Sequence, residues 1–359
     1  MNYSIINAPQ TNLVIGSGIA GCLLAWHLHL EGEPVILLGM RDKHCASRAA
    51  GGLINPVTGR WMVKSWRIDD LLPLAEKTYR AIEKTLGISV YHTLPLRRYC
   101  LNADDIKRLG RRLRNPRYAD VLGPFYGAGE SASPMRDEHG SFLIRGAAYL
   151  DVPRLLDSLQ KHFKCIDEPF VHEQLTSCKG GWNYRGIDAK KVFFCEGAAI
   201  SQNPWLHHLP IHSIKGETLL LDGPKSLLPR GIYHHQKWIL SYGDGRCRMG
   251  STYDETDLSP EPTEKGAQVL MDSLRHSIDA SFQIVEHKAG LRPTTPDTRP
   301  IIGSIPGTES LYVLNGLSSK GASTAPHMCQ ALIRHVFHEE PLDPEMDCRR
   351  FITALADGQ

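Results

Sequence analysis

Thr11-Asn12-Leu13-Val14-Ile15-Gly16-Ser17-Gly18-Ile19-Ala20-Gly21 decides the fold. A short apolar run ends in a glycine turn, a helical pattern follows over 20–31, Gly32 stops it, and a second apolar run covers Val35–Leu38. That order, strand then helix then strand, predicts a βαβ unit. The GxGxxG spacing falls at the junction of strand and helix. Gly16 there permits a tight turn, Gly18 lets a pyrophosphate approach the backbone, and Gly21 lets helix and strand pack closely. The unpaired N–H groups of the helix start face the anion. Gly16, Ser17, Gly18, Ile19, Ala20 and Gly21 are therefore candidate cofactor-binding residues. The acid that usually holds the ribose hydroxyls belongs at the end of the second strand, which reads Leu38-Gly39-Met40. Either Asp42 swings in, or backbone groups and water serve instead, and Arg41 leaves a phosphorylated ribose open. A carboxylate grafted onto Gly39 is expected to tighten binding.

The remaining composition sets bounds. At 359 residues, 42% hydrophobic and 22% charged, the chain is globular and long enough for two domains. A formal charge of +2 provides no overall field for gathering nucleic acid or an anionic membrane. Nine cysteines without a CxxC pair do not form a disulfide framework, and a reducing cytoplasm is expected. The longest apolar run, Ile19–Leu30, is broken by His27 and His29, so no membrane span is expected. Helices are predicted over 69–86, after Asp151 as N-cap with Leu155, Leu156 and Leu159 inward, over 265–276 and over 325–338. Strands are predicted at 191–195, 217–221, 238–242, 246–250 and 311–314, and 124–133 reads as a loop. The paired histidines His207-His208 and His234-His235 have no third ligand spaced with them, so no metal is expected.

Three further segments carry a resemblance. They are Ala46-Ser47-Arg48-Ala49-Ala50-Gly51-Gly52-Leu53; Ala289-Gly290-Leu291-Arg292-Pro293-Thr294-Thr295-Pro296-Asp297, continuing to Pro300-Ile301-Ile302-Gly303; and Asn315-Gly316-Leu317-Ser318-Ser319-Lys320-Gly321, followed by Thr324-Ala325-Pro326. Weaker matches are Lys215-Gly216-Glu217, Gly250-Ser251-Thr252 and Glu196-Gly197. In order and spacing the chain resembles the D-amino-acid oxidase, glycine oxidase and sarcosine oxidase superfamily of FAD enzymes. The resemblance implies a mixed α/β fold. A Rossmann-like FAD-binding domain (1–85, 141–210, 286–359) would be interleaved with an antiparallel-sheet substrate domain (86–140, 211–285), with substrate between them. It also implies an oxidoreductase acting on the C–N bond of a small amino acid or secondary amine. Hydride passes to flavin, giving an imine that water hydrolyses, and oxygen or another acceptor reoxidises the flavin. No cysteine stands just before Thr295-Pro296-Asp297, so FAD is expected to be non-covalent.

By the same resemblance, Ser47, Arg48, Gly51, Gly52 and Leu53 lie along the diphosphate and flavin, and Met40, Val171 and Gly197 are further cofactor contacts. Gly316, Leu317, Ser318, Ser319, Lys320 and Gly321 face the pyrimidine end of the ring, where Lys320 would stabilise the charge of the reduced flavin. A lysine on a loop also commonly points into solvent. Arg292 is implied as the anchor of the substrate carboxylate, which a planar fork of donors grips bidentately; alternatively it pairs with Asp297 and stiffens the turn. Tyr233 and Tyr253 either line the substrate cavity or simply pack. Two other functions stay open. The chain is also similar to the oxidoreductase domain of the bifunctional tRNA wobble-uridine enzyme, which removes a carboxymethyl group from a modified base. Residues 107–117 carry six basic side chains in eleven, a run able to follow a phosphate backbone or merely form a solvated face. The other is a non-catalytic flavin-binding subunit, supported by the missing acid at Gly39.

Overall fold

The computed structural model describes residues 11–41, 45–131 and 133–351. Contacts group the chain into two compact units, Met1–Arg48 with Val152–Ile214 and Leu291–Gln359, and Ala49–Asp151 with Lys215–Gly290. Residues 49–85 and 141–151, expected with the nucleotide domain, pack in the second unit instead. The reason is strand pairing: Leu53–Ile54 and Tyr91–Thr93 both pair with Ala148–Leu150, and Ser141–Ile144 pairs with Leu96–Tyr99.

The first unit is built on the opening strand. Leu13, Val14 and Ile15 are buried on both faces, as a central parallel strand between helices requires. Thr11–Ile15 lies between Val35–Leu38 and Ile187–Phe194, both parallel to it, with Ile15 level with Leu38 on one side and Phe194 on the other. Lys164–Ile166 extends the sheet beyond Val35–Leu38, and Leu311–Asn315 pairs with the far side of Ile187–Phe194. The helix Ile19–Leu30 buries every residue from Ile19 to Leu28 and packs against Val152–His162 and Gly321–His338. A helix apolar on all sides needs neighbours on all sides, and those two supply them.

The second unit holds an eight-stranded sheet whose order runs Gln283–Thr294, His212–Asp222, Arg246–Gly250, Trp238–Ser241, Gly231–His234, Leu96–Tyr99, Ser141–Ile144 and Leu122–Tyr126. Helix Glu264–Ser277, capped by the Thr263 side chain, covers one face, where Leu270 and Leu274 cluster with Leu219, Leu221, Ile239, Cys247 and Met249. Residues 124–126, expected in a loop, form a strand. Proline is tolerated there because this is an edge strand whose register slips between Leu122 and Phe125. The basic run begins on a regular helix, Ala103–Leu113, whose Asn102 cap accepts from the Asp105 N–H at 3.0 Å, and ends in the short turn Pro116–Tyr118.

Candidate active site

The glycine loop has the geometry its sequence requires. Gly16 takes a φ of 106° and its N–H donates to the Leu38 carbonyl at 2.7 Å. A Cβ on Gly16 would stand 2.3 Å from the Cys195 carbonyl oxygen, and one on Gly21 would stand 1.8 Å from the Gly16 oxygen. Both are backbone clashes, so glycine is obligatory at each position. Gly18 caps the helix Ile19–Leu30 without a side-chain cap, and the first turn contains no acidic residue, so the positive end of the helix is not neutralised. Ser17 donates from its Oγ to the Met40 carbonyl at 2.9 Å and accepts at its own carbonyl from the buried Gln160 amide at 2.9 Å.

The following segment closes on this loop. Ser47 Oγ accepts from the Ile19 N–H at 3.1 Å, and Arg48 donates to Asp157 at 2.7 Å and to Gln160 Oε1 at 3.3 Å. Ser47 and Arg48 thus stand at the helix start with Gly16 to Gly21. Gly51, Gly52 and Leu53 lie in the second unit. Gly52 accepts from the Leu150 N–H at 2.9 Å, and Gly51 lies beneath the Trp238 indole, whose Cη2 would be 2.3 Å from a Cβ.

The third segment forms a second loop at a second helix start. Gly316, at φ 72°, donates to its neighbour Asn315 Oδ1 at 2.8 Å, while Asn315 Nδ2 reaches the Gly197 carbonyl at 3.0 Å. Ser318 donates from its N–H to the Pro293 carbonyl at 3.0 Å. A Cβ on Gly321 would sit 3.3 Å from Ile19 Cγ2, so the two helix starts stand side by side. Leu317 is buried, Ser319 is exposed, and Lys320 is half-buried at the cap of Gly321–His338. Burial pushes the Lys320 ammonium below its ordinary value, and no carboxylate among the described residues pairs with it. A desolvated cation at a helix N-terminus is suited to an anionic ligand.

Asp297 is held by Arg350 and by the loop backbone. Its carboxylate accepts from Arg350 Nε at 3.1 Å, from Arg350 Nη2 at 3.3 Å and from the Arg299 N–H at 3.0 Å. The bracing role thus belongs to Arg350, while Arg292 lies half-buried on the strand Gln283–Thr294.

The tyrosines separate. Tyr233 is buried among Tyr99, Met249 and Leu274 and donates its hydroxyl to the Pro229 carbonyl at 3.0 Å. Burial raises its pKa, and the packing reading fits its surroundings. Tyr253 is exposed. Met40 is exposed with its carbonyl engaged by Ser17, and the Val171 N–H already donates to the Tyr184 hydroxyl at 3.2 Å. Asp42 lies outside the described residues.

Sequence reading missed a polar set on the sheet face away from helix Glu264–Ser277. Arg248 donates to Glu286 at 2.7 Å and reaches Thr218 Oγ1 at 3.4 Å, Tyr149 meets Tyr242 edge-on at 6.0 Å, and His92 stacks on Tyr149 at 5.8 Å. The signal was the alternation Cys247, Arg248, Met249, which puts the arginine opposite the core.

The fold and the two glycine loops define a dinucleotide-binding α/β protein, and the donors present fit a flavin dinucleotide: a cradle no side chain can enter, two helix starts without an acidic residue in the first turn, and the half-buried Lys320. The family model described as DAO, FAD dependent oxidoreductase, matches residues 12–334, and the chain belongs to that family. It is an FAD-dependent oxidoreductase, and FAD is its cofactor. It is 28% identical over 364 residues to a glycine oxidase of Pseudomonas aeruginosa, spanning 92% of this chain and 96% of that protein. It is 22% identical over 416 residues to the tRNA 5-methylaminomethyl-2-thiouridine biosynthesis bifunctional protein of Legionella pneumophila, spanning 100% of this chain but 58% of the relative. The crystal structure of glycine oxidase from Geobacillus kaustophilus matches with a TM-score of 0.80 at 18% identity, over 92% of this chain and 96% of that one, in support of the fold. Among the described residues no helix is long and apolar enough to cross a membrane.

Proposed function

We propose that this enzyme oxidises the C–N bond of a small amino acid or N-substituted glycine to an imine, which water then hydrolyses. Bound FAD supplies the two-electron oxidation, and oxygen or another acceptor takes the electrons onward. The chain's own residues bind and orient. The N–H groups from Gly16 to Gly21 hold the pyrophosphate, with Ser47 and Arg48 beside them. The 316–321 loop would hold the flavin, and Lys320 would place positive charge where the reduced ring gains negative charge. Arg292 grips the substrate carboxylate with two parallel N–H donors, which fixes the adjacent carbon in one orientation.

The observation that supports this reading most is that Arg350 engages Asp297, so the turn has a brace that does not require Arg292. The likeness to glycine oxidase in Pseudomonas aeruginosa agrees with it. The test is an anaerobic panel of glycine, sarcosine and D-amino acids followed by loss of flavin colour. Bleaching by at least one of them is expected, and no bleaching by any would reject a free amine as substrate.

A second reading, oxidative removal of a carboxymethyl group from a tRNA wobble uridine, has one supporting observation. Exposed Trp61 has the guanidinium groups of Arg60 and Arg108 over its ring, each 4.9 Å from the ring centroid, and Arg112 donates to the Trp61 carbonyl at 3.1 Å. An exposed aromatic set among arginines suits a nucleic-acid strand. The small-amine reading is preferred because the chain has almost no net charge.

A further inference from the structure

At the end of Val35–Leu38 the ribose-binding acid is replaced by Gly39, and the fold permits no side chain there. A Cβ would stand 2.9 Å from the Ser17 nitrogen and 3.1 Å from Gly16 Cα. A carboxylate nevertheless reaches this edge of the sheet from the neighbouring strand. Lys164–Ile166 runs parallel to Val35–Leu38 with Ile166 level with Leu38, and the Gly39 N–H donates to the Ile166 carbonyl at 3.0 Å. The next residue, Asp167, therefore arrives beside Gly39. Its Oδ1 accepts from the Arg41 N–H at 2.8 Å, and Arg41 Nε lies 3.8 Å from Oδ2. Both side chains are about half exposed, at 43% and 53% for Arg41 and Asp167, so a ligand can reach them.

We propose that Asp167 takes the place of the missing acid and binds the hydroxyls of the adenosine ribose of FAD. A carboxylate has about four lone-pair sites, and the Arg41 N–H occupies one, which leaves acceptors for two hydroxyls. Two other described carboxylates near the glycine loop are already committed: Asp157 accepts from Arg48 at 2.7 Å, and Glu196, nearly buried, accepts from Asn203 at 2.7 Å with His172 Nε2 2.8 Å away. The same arrangement settles the ribose phosphate left open by Arg41. With Asp167 beside its guanidinium, the charge of Arg41 is partly offset and a phosphate on the ribose meets a carboxylate. The site therefore selects an unphosphorylated adenosine.

The inference rests on FAD being the cofactor, and its test separates the two. The full-length chain, freed of flavin, is titrated with FAD by quenching of flavin fluorescence, and ADP and its dideoxyribose analogue are then compared as competitors. Wild type should bind FAD and prefer ADP; failure to bind FAD at all would point to the cofactor and not to Asp167. Asp167→Asn, which keeps an oxygen for the Arg41 N–H, should weaken FAD about tenfold, the loss of one charge-assisted hydrogen bond. It should also lose the preference for ADP, whereas Asp42→Asn should keep it. Asp167→Asn should in addition gain affinity for adenosine carrying a ribose phosphate, because Arg41 is released. A gain of that kind cannot come from misfolding. An Asp167→Asn protein that still prefers ADP over the dideoxy analogue, or an Asp42→Asn protein that does not, overturns the proposal.

Discussion

Arg292 and Arg350 raise one question at the residue scale, namely which guanidinium braces the turn at Asp297 and which grips the substrate. Because Arg350 holds that carboxylate, Arg292→Ala should retain FAD while amine-driven flavin reduction falls by about a hundredfold or more, the loss of two charge-assisted bonds. Arg292→Lys should recover little, since an ammonium cannot reproduce the planar fork. Rapid-mixing reduction kinetics beside flavin content measures both; loss of flavin in Arg292→Ala would return the bracing role to Arg292. Gly39 illustrates what one sequence cannot reveal. Sequence predicts that a glutamate there improves the ribose site, but the Ser17 nitrogen stands 2.9 Å from the would-be Cβ. Gly39→Ala and Gly39→Glu should therefore both destabilise the fold, by about 1–3 kcal/mol, and both weaken FAD. Melting curves and FAD titration decide, and tighter binding in Gly39→Glu would show that the loop yields. The glycine roles at Gly16 and Gly21 were legible because local backbone demands are written in local sequence. Arg350 and Asp167 were not, because each meets its partner through contacts distant in sequence.

The helix Ala103–Leu113 shows the same contrast among elements. Its basic composition was plain in sequence, yet its Asn102 cap and what it lies beside were not read there, since Trp61 belongs to a different segment. Lys107 and Arg108 pair with Asp104 and Asp105 at 3.5 and 2.8 Å, and the two acids sit in the first turn, where the helix dipole favours them. The later basic residues Arg111, Arg112, Arg114 and Arg117 have no carboxylate partner among the described residues. If four such cations met phosphates, affinity for tRNA would fall about a hundredfold between about 50 and 200 mM salt. Under the preferred function this face should give only weak association, with Kd near ~10⁻⁵ M at physiological salt, and a free amine should bleach the flavin. Titration of bulk tRNA at both salt concentrations, beside Arg111→Glu/Arg114→Glu, measures this. Tight, salt-steep binding abolished by that double substitution, without reduction by any free amine, would make the tRNA base the substrate. The strand Leu122–Tyr126 was lost to sequence reading for another reason: its edge position is what tolerates Pro124, and edge position follows from the whole sheet.

For the whole molecule, the manner in which FAD is held decides how the protein behaves when it unfolds. A covalent flavin requires a nucleophile, and with cysteine that nucleophile is the thiolate. Burial pushes the thiols of Cys22, Cys195, Cys247, Cys329 and Cys348 up, and that of Cys100 to about 11, so these six stay neutral at ordinary pH. The glycine loops instead hold the dinucleotide through backbone N–H groups and helix starts, interactions that exist only while the first unit is folded. Two consequences should appear together. The purified protein should be yellow, and acid or heat should leave a colourless precipitate with all the flavin in solution as intact FAD. Because FAD binds the folded chain and not the unfolded one, free FAD at about one hundred times its Kd should add about 2.7 kcal/mol of stability and raise the melting temperature by roughly 5 °C. Precipitation followed by chromatography of the supernatant tests the first, and melting curves across an FAD series test the second. Cys45 is only half-buried and lies at the cradle, its Sγ 3.5 Å from where a Gly18 Cβ would lie. Yellow colour that stays in the pellet and disappears in Cys45→Ser would mean that the cofactor is tethered there. A melting temperature indifferent to added FAD in the flavin-free protein would mean that the cradle does not hold the dinucleotide as the two glycine loops require.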